Sequence, residues 1–261
     1  MIISVRVQQI LLLFTLLLIG ISREIIQLEL WALPLALLSG LVLQGIGDSK
    51  RRRKWNIASV TISCLSLCLL LRTQNPYVLF YAIFFTVLSK FLIVYKGQHF
   101  FNPTNFGIVV CLTVFPNLSW VSPGQWGNYF FPSLALSVIG VLVARNAQRL
   151  LTAFSFLSFY SLMLLTRYLY LGDPLSIFTH QLKSFSLVIF CFFMITDPRT
   201  TPRSFKGQIL YTFLIALTGY LLQFHFYIRE GLFYALFFIC LLNPLINKLF
   251  PAKEYQWAKK I

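Results

Sequence analysis

Three stretches of this 261-residue chain, all on the expected inner side of sequence that is otherwise too apolar for water, each carry an Asn-Pro or Asp-Pro pair. The first runs Lys96-Gly97-Gln98-His99-Phe100-Phe101-Asn102-Pro103-Thr104-Asn105-Phe106-Gly107. The second is Thr196-Asp197-Pro198-Arg199-Thr200-Thr201-Pro202-Arg203, and the third Asn243-Pro244-Leu245-Ile246-Asn247. A residue before proline is pushed out of helical geometry, and an Asn or Asp side chain there can bond nearby amides. Each pair is therefore expected to stop a helix and expose backbone groups. In a membrane protein such irregular backbone is buried in protein or lines a cavity.

The chemistry these residues offer is recognition. His99, Asn102, Pro103, Thr104, Asn105, Asp197 and Thr200 are the candidate cofactor-binding residues. His99 is also a candidate proton carrier near neutral pH, against a hydrogen-bonded helix-end histidine. Asp197 reads either as a site carboxylate or as a cap or ion pair with Arg199 or Arg203. For each stretch the plain alternative is a helix terminator. No catalytic triad, paired carboxylates or phosphate-cradling glycine loop is visible, so any redox chemistry falls to a bound cofactor.

The elements that must hold these residues are membrane helices. Hydrophobic residues make up 58% of the chain and mean hydropathy is +0.76, against about 45–50% apolar for a soluble domain. Charged residues are only 11%, yet Lys and Arg outnumber Asp and Glu by 22 to 7, so the +15 net charge belongs in loops rather than in lipid. Basic loops orient a membrane chain and meet anionic lipid, and this reading is preferred to nucleic acid as the partner. The five cysteines sit inside apolar runs without metal-ligand spacing, and read as small core residues.

At about 20 apolar residues per span, ten segments are expected, at roughly 5–22, 26–46, 55–72, 77–95, 105–117, 126–144, 149–170, 175–196, 207–226 and 231–249. With both termini inside, sixteen of the 22 cations fall in inside loops and four (Arg23, Arg72, Arg167, Arg229) outside, while Lys90 and Lys183 lie within segments. Lys50-Arg51-Arg52-Arg53-Lys54 is the strongest orientation signal. The fifth segment is short, and the eighth carries His180, Gln181, Lys183 and Ser184, so one or both are expected to be broken or re-entrant. Gly140, Ala144, Ser155, Ser158, Ala216 and Gly219 read as packing contacts. The fold class is all-α: a single integral membrane domain over 1–261, a polytopic bundle of about ten transmembrane segments.

The same stretches resemble the NqrB/RnfD family of membrane subunits, found in the Na+-translocating NADH:quinone reductase and the Rnf electron-transport complex. Phe101-Asn102-Pro103 and the run to Phe115-Pro116 are similar to that family's F-N-P-A span. Phe193-Met194-Ile195-Thr196-Asp197-Pro198 with Lys206-Gly207 is similar to its F-M-A-T-D-P segment. Glu230-Gly231, Phe233, Ala235 and Pro244-Leu245-Ile246 are similar to its last block. Together they cover roughly residues 75–250.

The resemblance implies a ten-span, urea-transporter-like bundle in a bacterial inner membrane, with partner electron-transport subunits and a flavin. Two departures are plain. The S-G-A-T sequence that carries covalent FMN in the family is missing, so the flavin implied is non-covalent FMN or riboflavin; and Asn247 stands where the family often has aspartate. The turn Trp120-Val121-Ser122-Pro123-Gly124-Gln125-Trp126-Gly127 resembles a shorter, stand-alone branch. Three readings stay open: an electron-transfer component of a membrane oxidoreductase, a small-solute channel or carrier without redox activity, and an assembly subunit with no site.

Overall fold

The computed structural model describes residues 5–22, 26–95, 97–121, 138, 140–172 and 174–252. Most of the sixth expected segment (126–137 and 139), most of the 120–127 turn, and the cations Arg23, Lys96, Lys253, Lys259 and Lys260 lie outside the described residues. The chain is mostly helical and divides into two compact units, Met1–Gln125 and Trp126–Ile261.

Unit 1 contains α1 (Val5–Ser22), α2 (Ala32–Lys50), α3 (Ile57–Leu70), α4 (Pro76–Leu92) and α5 (Pro103–Val114). Two short antiparallel pairs join it, β1 (Leu71–Arg72) with β4 (Trp120–Val121) and β2 (Val94–Tyr95) with β3 (Gln98–His99). Helix α3 packs on α1 and α2, and α4 on α2 and α5. Helix α2 shows how such sequence folds. Every fourth residue, Ala32, Ala36, Gly40, Gln44 and Asp48, is buried, and the small ones let neighbours approach; a Cβ on Gly40 would lie 2.5 Å from the Cys64 sulfur. The opposite stripe, Leu38, Val42 and Ile46, is exposed and wholly apolar.

Unit 2 contains a helix over 140–146 (α6), α7 (Leu150–Leu171), α8 (Leu175–Leu182), α9 (Phe185–Ile189), a π-helical turn (Phe190–Met194), α10 (Phe205–Phe224) and α11 (Gly231–Leu249). Helix α10 packs on both α7 and α11. Of the expected small packing residues, Ala144 and Ala216 are buried and Gly140, Gly219 and Ser155 meet a neighbouring element, while Ser158 is exposed. Gly140 meets the Phe192 ring, Gly219 meets Leu232, and the Ser155 and Thr212 hydroxyls bond at 2.9 Å. The eighth segment is broken at Lys183–Ser184 between α8 and α9, and the fifth is a 12-residue helix.

Among the described residues, α2, α7, α10 and α11 are long and apolar enough to cross a membrane, and only 28 to 44% of their apolar windows is buried. Apolar surface therefore faces outward, as lipid requires and water forbids. Helices α1, α3, α4 and α5 are apolar but shorter. All five cysteines are buried thiols, and those of Cys64, Cys111 and Cys191 point at carbonyls of a neighbouring helix.

Two expectations about charge and helix ends are corrected. Arg72, assigned to an outside loop, is buried against the end of a helix instead: its guanidinium donates to the Cys68, Leu69 and Leu71 carbonyls and so closes the C-terminus of α3. Asn243-Pro244 does not stop its helix, since α11 continues to Leu249 with Pro244 inside it. The missing proline N–H removes one ladder bond, while side-chain amides on either side bond across to another segment.

Candidate functional site

In unit 2 the second and third polar stretches converge. Past the π turn, Thr196 returns its hydroxyl to the Phe192 carbonyl at 2.5 Å. Asp197 then builds a compact turn: Oδ1 accepts the Arg199 N–H at 3.0 Å, and its carbonyl accepts the Thr200 and Thr201 N–H groups and the Thr201 hydroxyl. The carboxylate thus serves as a local backbone organiser, as Asp does in Asx turns. Thr201 spans the turn, because its hydroxyl also reaches the Ile195 carbonyl at 2.7 Å.

Helix ends lock this turn from two sides. From α11, Asn243 Nδ2 donates to the Thr200 carbonyl, Asn247 Nδ2 donates to Asn243 Oδ1 at 2.9 Å, and Asn247 Oδ1 accepts the Arg203 N–H at 3.0 Å. From the start of α7, the buried guanidinium of Arg149 donates to the Pro198 carbonyl at 3.3 Å. Ser204 caps α10 by accepting the Gly207 N–H, and one turn later Gln208 Oε1 accepts the Thr152 hydroxyl at 2.9 Å. Asn243, Thr200, Thr201, Gln208 and Thr152 are all buried. Leaving any of them unbonded would cost about 1–3 kcal/mol, which is the force that holds the arrangement.

Sequence reasoning found Asp197, Thr200 and Asn243 but not Arg149, Thr152 or Gln208. Arg149 looked like one more loop cation. Its only signal was a position at the start of a long apolar run, where a second helix end could present carbonyls to it.

In unit 1 the first stretch forms the entry to α5. Gly97, at φ +77°, sits in the turn between β2 and β3, and half-buried His99 pairs with Val94. Asn102 is the N-cap of α5: Oδ1 accepts the Asn105 N–H at 3.0 Å, and Pro103 occupies the first helical position, where a missing N–H costs nothing. This Asn-Pro pair begins a helix rather than ending one, and Asn75-Pro76 opens α4 by the same device. Asn102, Thr104 and Asn105 are buried, with the Phe101 ring 5.1 Å from Phe100 and 5.4 Å from Phe106. One turn on, Gly107 lies so close to α4 that a Cβ would overlap the Thr86 hydroxyl and the Ala82 carbonyl oxygen.

Unit 1 holds further buried polar groups on α2 and α4. Asp48 Oδ2 accepts from Gln44 and from the Asn56 N–H, both at 3.0 Å, and buried Lys90 reaches the Ser59 carbonyl and hydroxyl at 3.3 Å. At the opposite end of α5, a cavity of about 310 Å³ is lined by Gln74, Asn75, Pro76, Tyr77, Asn117, Leu118 and Trp120. Among the described residues no group of three or more His, Cys, Asp or Glu side chains could hold a metal.

Thus five of the seven candidate residues, His99 to Asn105, gather at the start of α5, while Asp197 and Thr200 gather in the turn of unit 2. No protein of curated function shows significant sequence similarity to the chain. Residues 123–256 match the NQR2, RnfD, RnfE family, a span that takes in the Asp197 turn, the caps of α10 and the asparagine pair of α11. With over half its length matched and its apolar helices facing outward, this membrane protein belongs to the NQR2, RnfD, RnfE family.

Proposed function

We propose that the chain is an RnfD/NqrB-type membrane subunit that binds FMN or riboflavin without a covalent link and relays electrons at or across a bacterial inner membrane. The observation that carries this reading is the family match over 123–256, which includes the Asp197 turn. Membership of that family supports a role as one subunit of a multi-component electron-transport system, with other such subunits as the expected partners. The charge asymmetry of the loops supports both termini on the cytoplasmic side. Among the described residues, four long and four shorter apolar helices, with the helix broken at Lys183–Ser184, support a bundle of about ten segments.

The start of α5 fits the chemistry of a flavin ring. Its cap is made by the Asn102 amide oxygen accepting the Asn105 backbone N–H, and the side chains of Thr104 and Asn105 are buried beside it. Phe100, Phe101 and Phe106 supply aromatic surface beside them. Thr104 and Asn105 would hold the polar edge of the ring and the phenylalanines its faces. A bound flavin would supply the one- and two-electron steps that no side chain here can. The test is the visible spectrum of the detergent-purified protein. Flavin absorption bands, present as isolated or after addition of FMN or riboflavin, are expected; their absence in both cases refutes the proposal.

A further inference from the structure

The exposed apolar stripe of α2 runs straight into a patch of cations. Leu38, Val42 and Ile46 are 67%, 61% and 51% exposed, and Lys50, the next residue at the same four-residue interval, is exposed too. At about 1.5 Å per residue, the stripe from Leu38 to Lys50 is about 18 Å long, close to one leaflet's hydrocarbon depth plus the first polar layer. Beyond it, Arg52, Arg53 and Lys54 are exposed, with Arg52 in the left-handed region at φ +51°. Trp55 lies against Gly45, a Cβ on which would be 2.7 Å from the ring, yet is 64% exposed, as an indole at a membrane–water boundary would be.

The charges of this corner do different work. Asp48, the nearby acid, is turned to the buried stripe and bonded to Gln44 and Asn56, and its single charge leaves the four exposed cations Lys50, Arg52, Arg53 and Lys54 in excess. Arg51 is committed as well: it donates to the Phe91 carbonyl and lies 5.6 Å from the Phe91 ring, closing the end of α4. Lys50, Arg52, Arg53 and Lys54 face outward above an apolar track.

We infer that the α2–α3 corner is a binding site for an anionic phospholipid. Acyl chains lie along Leu38, Val42 and Ile46, and the phosphate headgroup meets Lys50, Arg52, Arg53 and Lys54. The occupant is a lipid rather than a soluble anion because the cations are continuous with lipid-facing surface and flanked by an exposed indole. Zwitterionic lipid would satisfy the apolar track but gain nothing from uncompensated positive charge.

The test is titration of the purified full-length protein in detergent with phosphatidylglycerol and with phosphatidylcholine, read by native mass spectrometry. Wild type is expected to bind phosphatidylglycerol at least about tenfold tighter, and the triple variant Arg52→Gln/Arg53→Gln/Lys54→Gln to lose that preference with its melting temperature unchanged. Arg51→Gln should lower the melting temperature and keep the preference. Equal affinity for the two lipids in wild type overturns the inference without recourse to any variant. So does an unchanged preference in the triple variant, or displacement of phosphatidylglycerol by inorganic phosphate at fixed ionic strength.

Discussion

Asn247 gives its amide hydrogen to Oδ1 of Asn243 at 2.9 Å while its own Oδ1 receives the Arg203 N–H at 3.0 Å. Both ends of this chain are fixed in polarity. The Thr200 carbonyl can only accept, so Asn243 must present its NH2 there and its oxygen to Asn247; the Arg203 N–H can only donate, so Asn247 must present oxygen to it. Residue 247 therefore has to donate and accept at once.

This accounts for asparagine where the resembled family often carries aspartate. Asn247→Asp sets a carboxylate oxygen against Asn243 Oδ1, and the expected cost is about 1–3 kcal/mol. It would be read as a fall in melting temperature in detergent. Asn243→Asp/Asn247→Asp should be worse than either single change, since the Thr200 carbonyl then also loses its donor.

Two variants separate a structural role from a binding role. Asp197→Asn keeps a side-chain oxygen to accept the Arg199 N–H, so the turn should persist with a stability change of less than about 0.5 kcal/mol. A loss of flavin in that variant would then report on the carboxylate's charge. Asn102→Ala removes the α5 cap and should cost about 0.5–2 kcal/mol. If the start of α5 holds the cofactor, flavin content should fall further than stability. A fall in expression of both variants together would mark the two turns as purely architectural.

Gly107 tests the close approach of α5 to α4. Gly107→Ala should destabilise unit 1 by about 1–3 kcal/mol through overpacking, seen as lower yield of monodisperse protein. Adding Thr86→Ala should restore little, because the overlap with the Ala82 carbonyl oxygen is with backbone and remains.

Helix positions were largely legible because apolar runs bounded by charge are long and repetitive. The apolar runs placed α7, α10 and α11 near their observed limits, while α2 begins and ends several residues later than expected, and the polar cluster in the eighth run marked the break at Lys183–Ser184. What the Asn-Pro and Asp-Pro pairs would do was not legible. The same local preference yields an N-cap at Asn102, a closed turn at Asp197 and an uninterrupted helix at Asn243, and the choice rests on which distant groups are offered. Arg149 and Arg72 went unread for the same reason, since a buried guanidinium is explained only by the carbonyls it meets in three dimensions.

The π turn at Phe190–Met194, closed by the Ile195 N–H on the Phe190 carbonyl at 3.1 Å, accommodates one residue more than an α turn would. The surplus residue is taken up inside that one turn, so excising one of the five would let it relax to ordinary α winding with the flanking backbone close to its present phase. A one-residue deletion in α9, which has no such reserve, would instead rotate the Asp197 turn by about 100° away from Arg149 and Asn243.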